Sequence, residues 1–314
     1  MIDLQSVLDK QEPRIRAGFI AMIASMQDEL NLAELESLLE QGRVDEALDL
    51  VLRSAPNIAT ASNVAFMAGA QAVAQGIGKE IGQVSIDFDI TNHNAVAAMQ
   101  RNTLDLVHGF TETQRAASRQ AIVEGIRAGV NPREQARAFQ RSIGLTSTQE
   151  AAVRNYERAL REASRGALSN KLRNKSNDAA VRRAAATGEA LSDARIEKMV
   201  NEYRARMVAH RATVIARTEA LRSVHEGADT MLQQSLEQGT LTSAEIFRTW
   251  HTARDERVRG SHRSMHRQVR DLGMPFMSGL GNLLMRPGDS RAPAADVIQC
   301  RCRMTIQIRI LTPN

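Results

Sequence analysis

Apolar residues recur along the first half of the chain at intervals of three and four. Ile15, Phe19, Met22, Ile23 and Met26 form one such set, and Leu32, Leu35, Leu38 and Leu39 form the next. That spacing lines up side chains on one face of a helix and predicts successive amphipathic helices. Gly42 interrupts the pattern, and Val44, Ala47, Leu48 and Val51 resume it. The small, apolar run from Ala55 to Gly76 suits a closely packed helix. The segment 76-GIGKEIG-82 reads as a hinge, because its glycines are not spaced as in a dinucleotide loop and no strand precedes it. Val84, Ile86, Phe88 and Ile90 alternate with polar residues and predict a strand over 84–90. Helices are expected from Asn94 to Val107 and from Glu112 to Ala128, with a stop at Gly129. Asn131-Pro132 supplies a cap and a first-turn proline for the next helix. Ser147-Thr148-Gln149-Glu150 fits a capping box that opens a helix to Ala163.

Residues 165–191 lose this periodicity and gain Asn, Ser, Arg and Gly, as a basic linker would. A long helix is predicted from Ser192 to Glu237, with Met199, Tyr203, Met207, Val214, Ala220, Leu221, Val224 and Met231 along its buried stripe. After Gly239 the pattern changes. Phe247 and Trp250 mark a strand near 245–251, a charged stretch from Asp255 reads as a short helix, and a Gly/Pro-rich loop covers 273–293. Met304, Ile306, Ile308 and Ile310 alternate as a closing strand. Phe276, Leu284 and Val297 are the apolar anchors left to hold the loop. The expected fold is therefore mainly α: a multi-helical N-terminal domain (1–164), the linker (165–191), a long connecting helix (192–240) and a small C-terminal α+β domain (241–314).

Composition sharpens this picture. Seven Phe, two Tyr and one Trp in 314 residues favour thin helix–helix packing over a broad sheet sandwich. No run approaches the roughly 18 apolar residues of a membrane span, so no membrane partner is expected. The first residues lack the basic and apolar regions of a secretory signal, and the two cysteines, Cys300 and Cys302, exclude a disulfide framework; a cytoplasmic product is expected. Charge is uneven. Residues 1–53 hold five Lys/Arg against eleven Asp/Glu, and residues 151–222 hold sixteen against eight. The basic surplus could meet phosphate, with Arg165, Lys171, Arg173, Lys175, Arg182 and Arg183 as candidate DNA-facing residues.

Candidate chemistry clusters at the C-terminal end. Asp255 is placed to cap a helix N-terminus, where a carboxylate accepts backbone N–H bonds. His262 and His266 stand four apart, and Cys300 and Cys302 would share one face of a strand, so the four could be zinc ligands. Cys-x-Cys is not the usual Cys-x-x-Cys knuckle, however, and neighbouring Arg259 is no ligand. The cysteines are read as small apolar residues, and neither metal nor cofactor is expected. Arg301 would point away from them and could pair with Asp255, Asp289 or Glu219. No P-loop, metallohydrolase helix or nucleophile elbow is present in the sequence, so no enzyme is expected.

The order of these residues resembles the phage Mu F-like head morphogenesis family. The family pattern is carried by Trp250; Asp255, Arg257, Arg259 and His262; Phe276; Pro287, Gly288 and Asp289; and Cys300, Arg301 and Cys302. Arg217, Thr218 and Glu219 match the helix that precedes this domain. The resemblance covers residues 195–314, and it departs at Gln299, where the family usually has Asn. It implies a minor capsid protein, present in few copies inside the phage head near the portal vertex and made in the host cytoplasm. The implied partners are the portal protein, the major capsid or scaffold protein, and packaged DNA. Some ADP-ribosyltransferase toxins are fused to such domains. The Glu34-Leu35-Glu36 pair resembles theirs, but it lies in an amphipathic helix without the accompanying strands and reads as a solvated face.

Overall fold

A computed structural model describes residues 1–52, 59–82 and 86–309, without the side chains of Val51 and Leu104. Helices dominate: α1 (Gln5–Asp28), α2 (Leu32–Glu40), α3 (Val44–Leu52), α4 (Thr60–Ile81), α5 (His93–Arg127), α6 (Pro132–Ser142), α7 (Ser147–Arg161), α8 (Asp178–Thr187) and α9 (Asp193–Glu237). Two short helices, α10 (Gly260–Arg263) and α11 (Ala294–Val297), lie among the C-terminal strands. The strands are β1 (Ile2–Asp3), β2 (Ile246–His251), β3 (Val269–Asp271), β4 (Phe276–Met277), β5 (Leu283–Leu284) and β6 (Arg303–Ile308). The mainly α architecture, the long helix and the small C-terminal sheet region agree with the sequence reading.

Several local expectations need correction. Residues 86–90 form no strand; Ile86 and Phe88 are half-buried against a helical core, and Phe88 packs on Phe66 at 6.1 Å. Val84 and Ile310 lie outside the described residues. The glycines of 76–82 are no hinge: α4 runs through them to Ile81 and ends on Gly82 in the left-handed region. The Gly76 position is instead a packing site, because a Cβ there would come within 2.3 Å of the Ile2 side chain. The two helices expected over 94–128 are one, α5. The capping box sits one residue early, with Thr146 as the cap and Gln149 returning the bond. Asn131 caps α6 as expected, accepting from the Glu134 N–H.

The chain divides into two compact units that interleave in sequence. One comprises Met1–Phe19, Ile58–Val107 and Thr213–Asn314, and the other Ile20–Asn57 and His108–Ala212. The boundaries expected at 164, 191 and 240 coincide with neither, since α1, α5 and α9 each give residues to both units. The second, all-helical unit packs α2 against α6. It builds a core from Leu145, Val153, Tyr156, Leu160, Val181, Ile196, Met199 and Tyr203. Tyr156 and Tyr203 meet at 4.6 Å. The 165–191 stretch is no linker. It folds into 3-10 turns (Arg165–Ser169, Lys175–Asn177) and α8, and it buries Ala167 and Val181 in that core. Its polarity is spent on caps and side-chain bonds, such as the Tyr203 hydroxyl donating to Asn170 at 3.2 Å.

The first unit carries the sheet. Its antiparallel order is β1-β6-β2-β3, with Trp250 opposite Met304 and Ile306 paired with Ile2 on the far edge. Beneath it α4 and α9 cross with their backbones almost touching. A Cβ on Gly69 would meet the Val224 carbonyl oxygen at 2.1 Å, and one on Gly227 would meet that of Phe66 at 1.9 Å. Glycine is required on both helices for so close a crossing. The core is continuous, running from Leu4, Val73, Ile77 and Val224 to Trp250, Phe276, Cys300 and Ile306. The expected separate core for residues 241–314 is therefore part of a larger one. Among the described residues no helix is long and apolar enough to cross a membrane.

Candidate functional site

Strand β2 decides which side chains enter the site. Its burial alternates, so Ile246, Arg248 and Trp250 point inward while Phe247, Thr249 and His251 stay half-exposed. Trp250, fully buried, has His262 on one side at 5.7 Å and Phe276 on another at 5.3 Å, both edge-on. Phe276 and Leu284 are opposite one another on β4 and β5 and are also fully buried, so this short hairpin hangs on the tryptophan. Val297 on α11 is buried as expected.

His262 comes from α10, and Cys300 and Cys302 come from the segment just before β6 rather than from the strand itself. All three are buried. The His262 Nδ1 atom lies 3.6 Å from Cys300 Sγ and 3.5 Å from Cys302 Sγ. His262, Cys300 and Cys302 could together hold a metal ion, since their ligand atoms fall within 4.8 Å of one another. On the far side of the ring, Nε2 faces the buried Asp296 carboxylate at 3.3 Å. That carboxylate also accepts from the Ser261 hydroxyl at 3.1 Å and from Asn282 Nδ2 at 2.7 Å. His266 is not part of the group; α10 ends at Arg263, so the four-residue spacing does not give a shared face, and the His266 ring instead accepts from the Thr252 N–H. Hydrogen bonding from Cys302, and then from His262, draws the Cys300 thiol well below its usual range. The Cys302 thiol moves up, because of its hydrogen bond with Cys300 and because it is buried.

The outer residues of the pattern clamp loops. Asp255 caps no helix. It accepts the Arg257 N–H in a tight turn and takes a two-pronged ion pair from Arg301, which holds the Asp255 carboxyl below the usual range. Arg257 adds a looser contact at 3.9 Å. Arg259 donates to the Ile298 carbonyl. Asp289 is buried beneath the Pro287-Gly288 turn, accepting from the Met285 and Arg291 N–H groups. Gly288, with φ at +81°, lies so close to α9 that a Cβ would come within 2.9 Å of the Arg222 backbone. On α9 itself, Arg217 pairs with Glu12 at 3.0 Å, and the Thr218 hydroxyl accepts the Gln299 N–H at 3.1 Å. Glu219 is buried and lies 3.7 Å from Arg222; burial raises its carboxyl despite that cation. Gln299 itself sits at φ +56°, a left-handed conformation that Asn tolerates better than Gln.

A buried charge network escaped the sequence reading. Arg248, although an inward strand residue, is fully buried and donates to the carbonyls of Met285, Asp271 and Met274. Arg286 meets Asp229 at 3.1 Å and Glu226 at 3.2 Å. Burial raises the Asp229 carboxyl, against the pull of Arg286. His225 is fully buried, with Nδ1 donating to the Leu221 carbonyl and Nε2 accepting the Met304 N–H. Burial lowers its pKa to about 4. The period of two puts Arg248 on the face of Ile246 and Trp250, but a charged residue type in a strand reads as outward-facing and masked that signal. A helix stripe containing Asp229 and Glu226 would have hinted at buried partners.

Of the candidate DNA-facing residues, Arg165, Lys171, Lys175, Arg182 and Arg183 are exposed. Arg173 is not free for phosphate. It is half-buried and held by a bidentate pair to Asp178 at 2.8 Å.

A helical protein closed by a small antiparallel sheet, whose motif residues mostly fasten loops to one another, is the class that fold and site define. Residues 177–305 match the family model described as Phage Mu protein F like protein, and over that segment the chain is similar to that family. The match supports a phage head morphogenesis protein. No curated protein and no solved structure matches the chain.

Proposed function

We propose that this protein is a non-enzymatic minor component of a tailed-phage head, placed inside the head near the portal and acting in head assembly. The family match over 177–305 carries this reading. It is supported by what the pattern residues do. Trp250, Phe276, Asp255, Arg301 and Asp289 are all spent on holding the sheet and its loops. A protein partner is supported by the exposed apolar tip of the β4–β5 hairpin. Met277 and Leu283 are cross-strand neighbours there, with Leu280 between them 74% exposed. Such a cluster on the surface marks a contact surface. The portal, capsid or scaffold protein is the partner this reading assigns, and the acidic helices α2 and α3 offer a second protein-facing surface.

The test is a deletion of the gene combined with copy counting in purified virions. Defective heads with intact DNA replication, and a small fixed number of copies in wild-type heads, are expected. Full virions without the protein, or a full-length chain that never co-purifies with portal, coat or scaffold, would overturn the reading. The exposed cations between Arg165 and Arg183 favour an added, sequence-independent DNA contact. That contact would weaken steeply with salt.

A further inference from the structure

We infer that His262, Cys300 and Cys302 form a binding site for a thiophilic divalent cation of zinc's class, one that staples α10 to the segment entering β6. The proposal departs from the sequence expectation of no metal, which rested on the Cys-x-Cys spacing and on Arg259 being no ligand. The structure turns Arg259 away to the Ile298 carbonyl and brings the other three groups together.

Three independent features support it. The first is spacing. Zinc binds thiolate sulfur at about 2.3 Å and imidazole nitrogen at about 2.0–2.1 Å in tetrahedral geometry, which sets a sulfur-to-nitrogen edge of about 3.5 Å. The two edges here are 3.6 and 3.5 Å. The second is the support behind the histidine. Asp296 stands on the Nε2 side at 3.3 Å, which favours the tautomer with the proton on Nε2 and the Nδ1 lone pair toward the sulfurs. A carboxylate behind a ligating histidine is the usual way such a ring is oriented and made more basic. Asp296 is itself fixed by Ser261 and Asn282. The third is a buried donor. The Trp250 indole N–H has no hydrogen bond of normal geometry and interacts only with the Cys302 sulfur, lowering its thiol's pKa. A metal-bound sulfur carries the negative charge such a donor would satisfy.

Charge and proton balance are simple. Each thiol gives its proton to solvent as its sulfur binds, and the neutral imidazole binds unchanged. Two thiolates then cancel the two charges of the cation, so binding the ion adds no net charge to the core. A water occupies the fourth position. The two soft sulfur donors select zinc or cobalt over calcium or magnesium. Because the ligands stand 38 and 40 residues apart, the ion closes a long loop.

The test uses the full chain, reduced and stripped with chelator, and titrated with cobalt(II). A thiolate-to-cobalt charge-transfer band with intense tetrahedral visible bands should saturate at one ion per chain and disappear when zinc is added. The bands should be lost in the Cys300→Ala/Cys302→Ala double variant and kept in His266→Ala. X-ray absorption of the zinc-loaded wild-type chain gives a readout that does not depend on the variants folding, and should show two sulfurs in the first shell. An absent charge-transfer band, a band that survives the double cysteine substitution, or a first shell of nitrogen and oxygen alone would overturn the proposal.

Discussion

The two units differ in where most of their charge pairs lie, although Arg173–Asp178 and Arg204–Glu150 are largely buried in the helical unit too. In the all-helical unit several pairs stand in water: Arg119 reaches Asp45 with both side chains at least half exposed, and Arg115, itself 35% exposed, reaches an exposed Asp49. In the sheet unit, Arg248, Glu226 and His225 are buried and Arg286 and Asp229 are largely so, with carbonyls and one another as their main partners. An exposed pair adds little, because solvent screens it and two long side chains must be ordered. A buried charge stripped of its partner is costly, because the remaining group has lost its water. The sheet unit thus holds its loops in place with interactions that tolerate no missing member, while the helical unit can lose surface pairs cheaply.

The sharpest way to break this contrast is Arg286→Ala, which leaves Asp229 and Glu226 buried without their main cation. A loss of about 3–5 kcal/mol in the stability of the full chain is expected from urea unfolding. A loss below that of a surface pair would show that the network is wet.

The next effect depends on pH. His225 is neutral in the folded chain, with its pKa lowered to about 4 from an ordinary value of 6.5. Above pH 6.5 neither state binds the proton and the residue has no effect on stability. As pH falls from 6.5 toward 4, the unfolded chain takes up the proton first and the folded state loses about 3 kcal/mol. His225→Gln keeps a donor and an acceptor but cannot titrate, so its urea midpoint should fall less over that window. Parallel curves for the two proteins would mean that His225 does not sit buried and neutral.

Gln299→Asn should be stabilising, by about 0.5–1 kcal/mol, since Asn adopts positive φ more easily while the backbone bond to Thr218 is unchanged. A destabilised variant would show that the Gln side chain makes a contact worth more than the backbone strain. Smallest of all, Arg119→Ala in the helical unit should cost about 0.2–1 kcal/mol and less at high salt. A cost like that of Arg286→Ala would erase the distinction between the units.

The helices were legible because burial repeats every three to four residues, a local property that neighbours in sequence express together. α9, the Asn131 cap and the strands at 246–251 and 303–308 follow from such local signals. β1 was invisible, as two residues carry no period and gain their pairing only from Ile306 and Thr305 at the other end of the chain. The 165–191 segment was misread because its Asn and Arg side chains look solvated in sequence, yet they cap turns and pair with Asp178 and Glu202. For the site, the order of Trp250, Asp255, His262, Phe276, Asp289 and the Cys-Arg-Cys was readable in advance. Which of them meet was not. The sequence offered Asp255, Asp289 and Glu219 to Arg301 alike, and offered His262 and His266 to the cysteines alike. Sequence by itself determined the helical periodicity, the caps, the uneven charge and the family pattern, all of which depend on residues a few positions apart. Only the tertiary structure chose Asp255 for Arg301, His262 for Cys300 and Cys302, and the core for Arg248. Those choices depend on how loops separated by 38 to 46 residues close over one another.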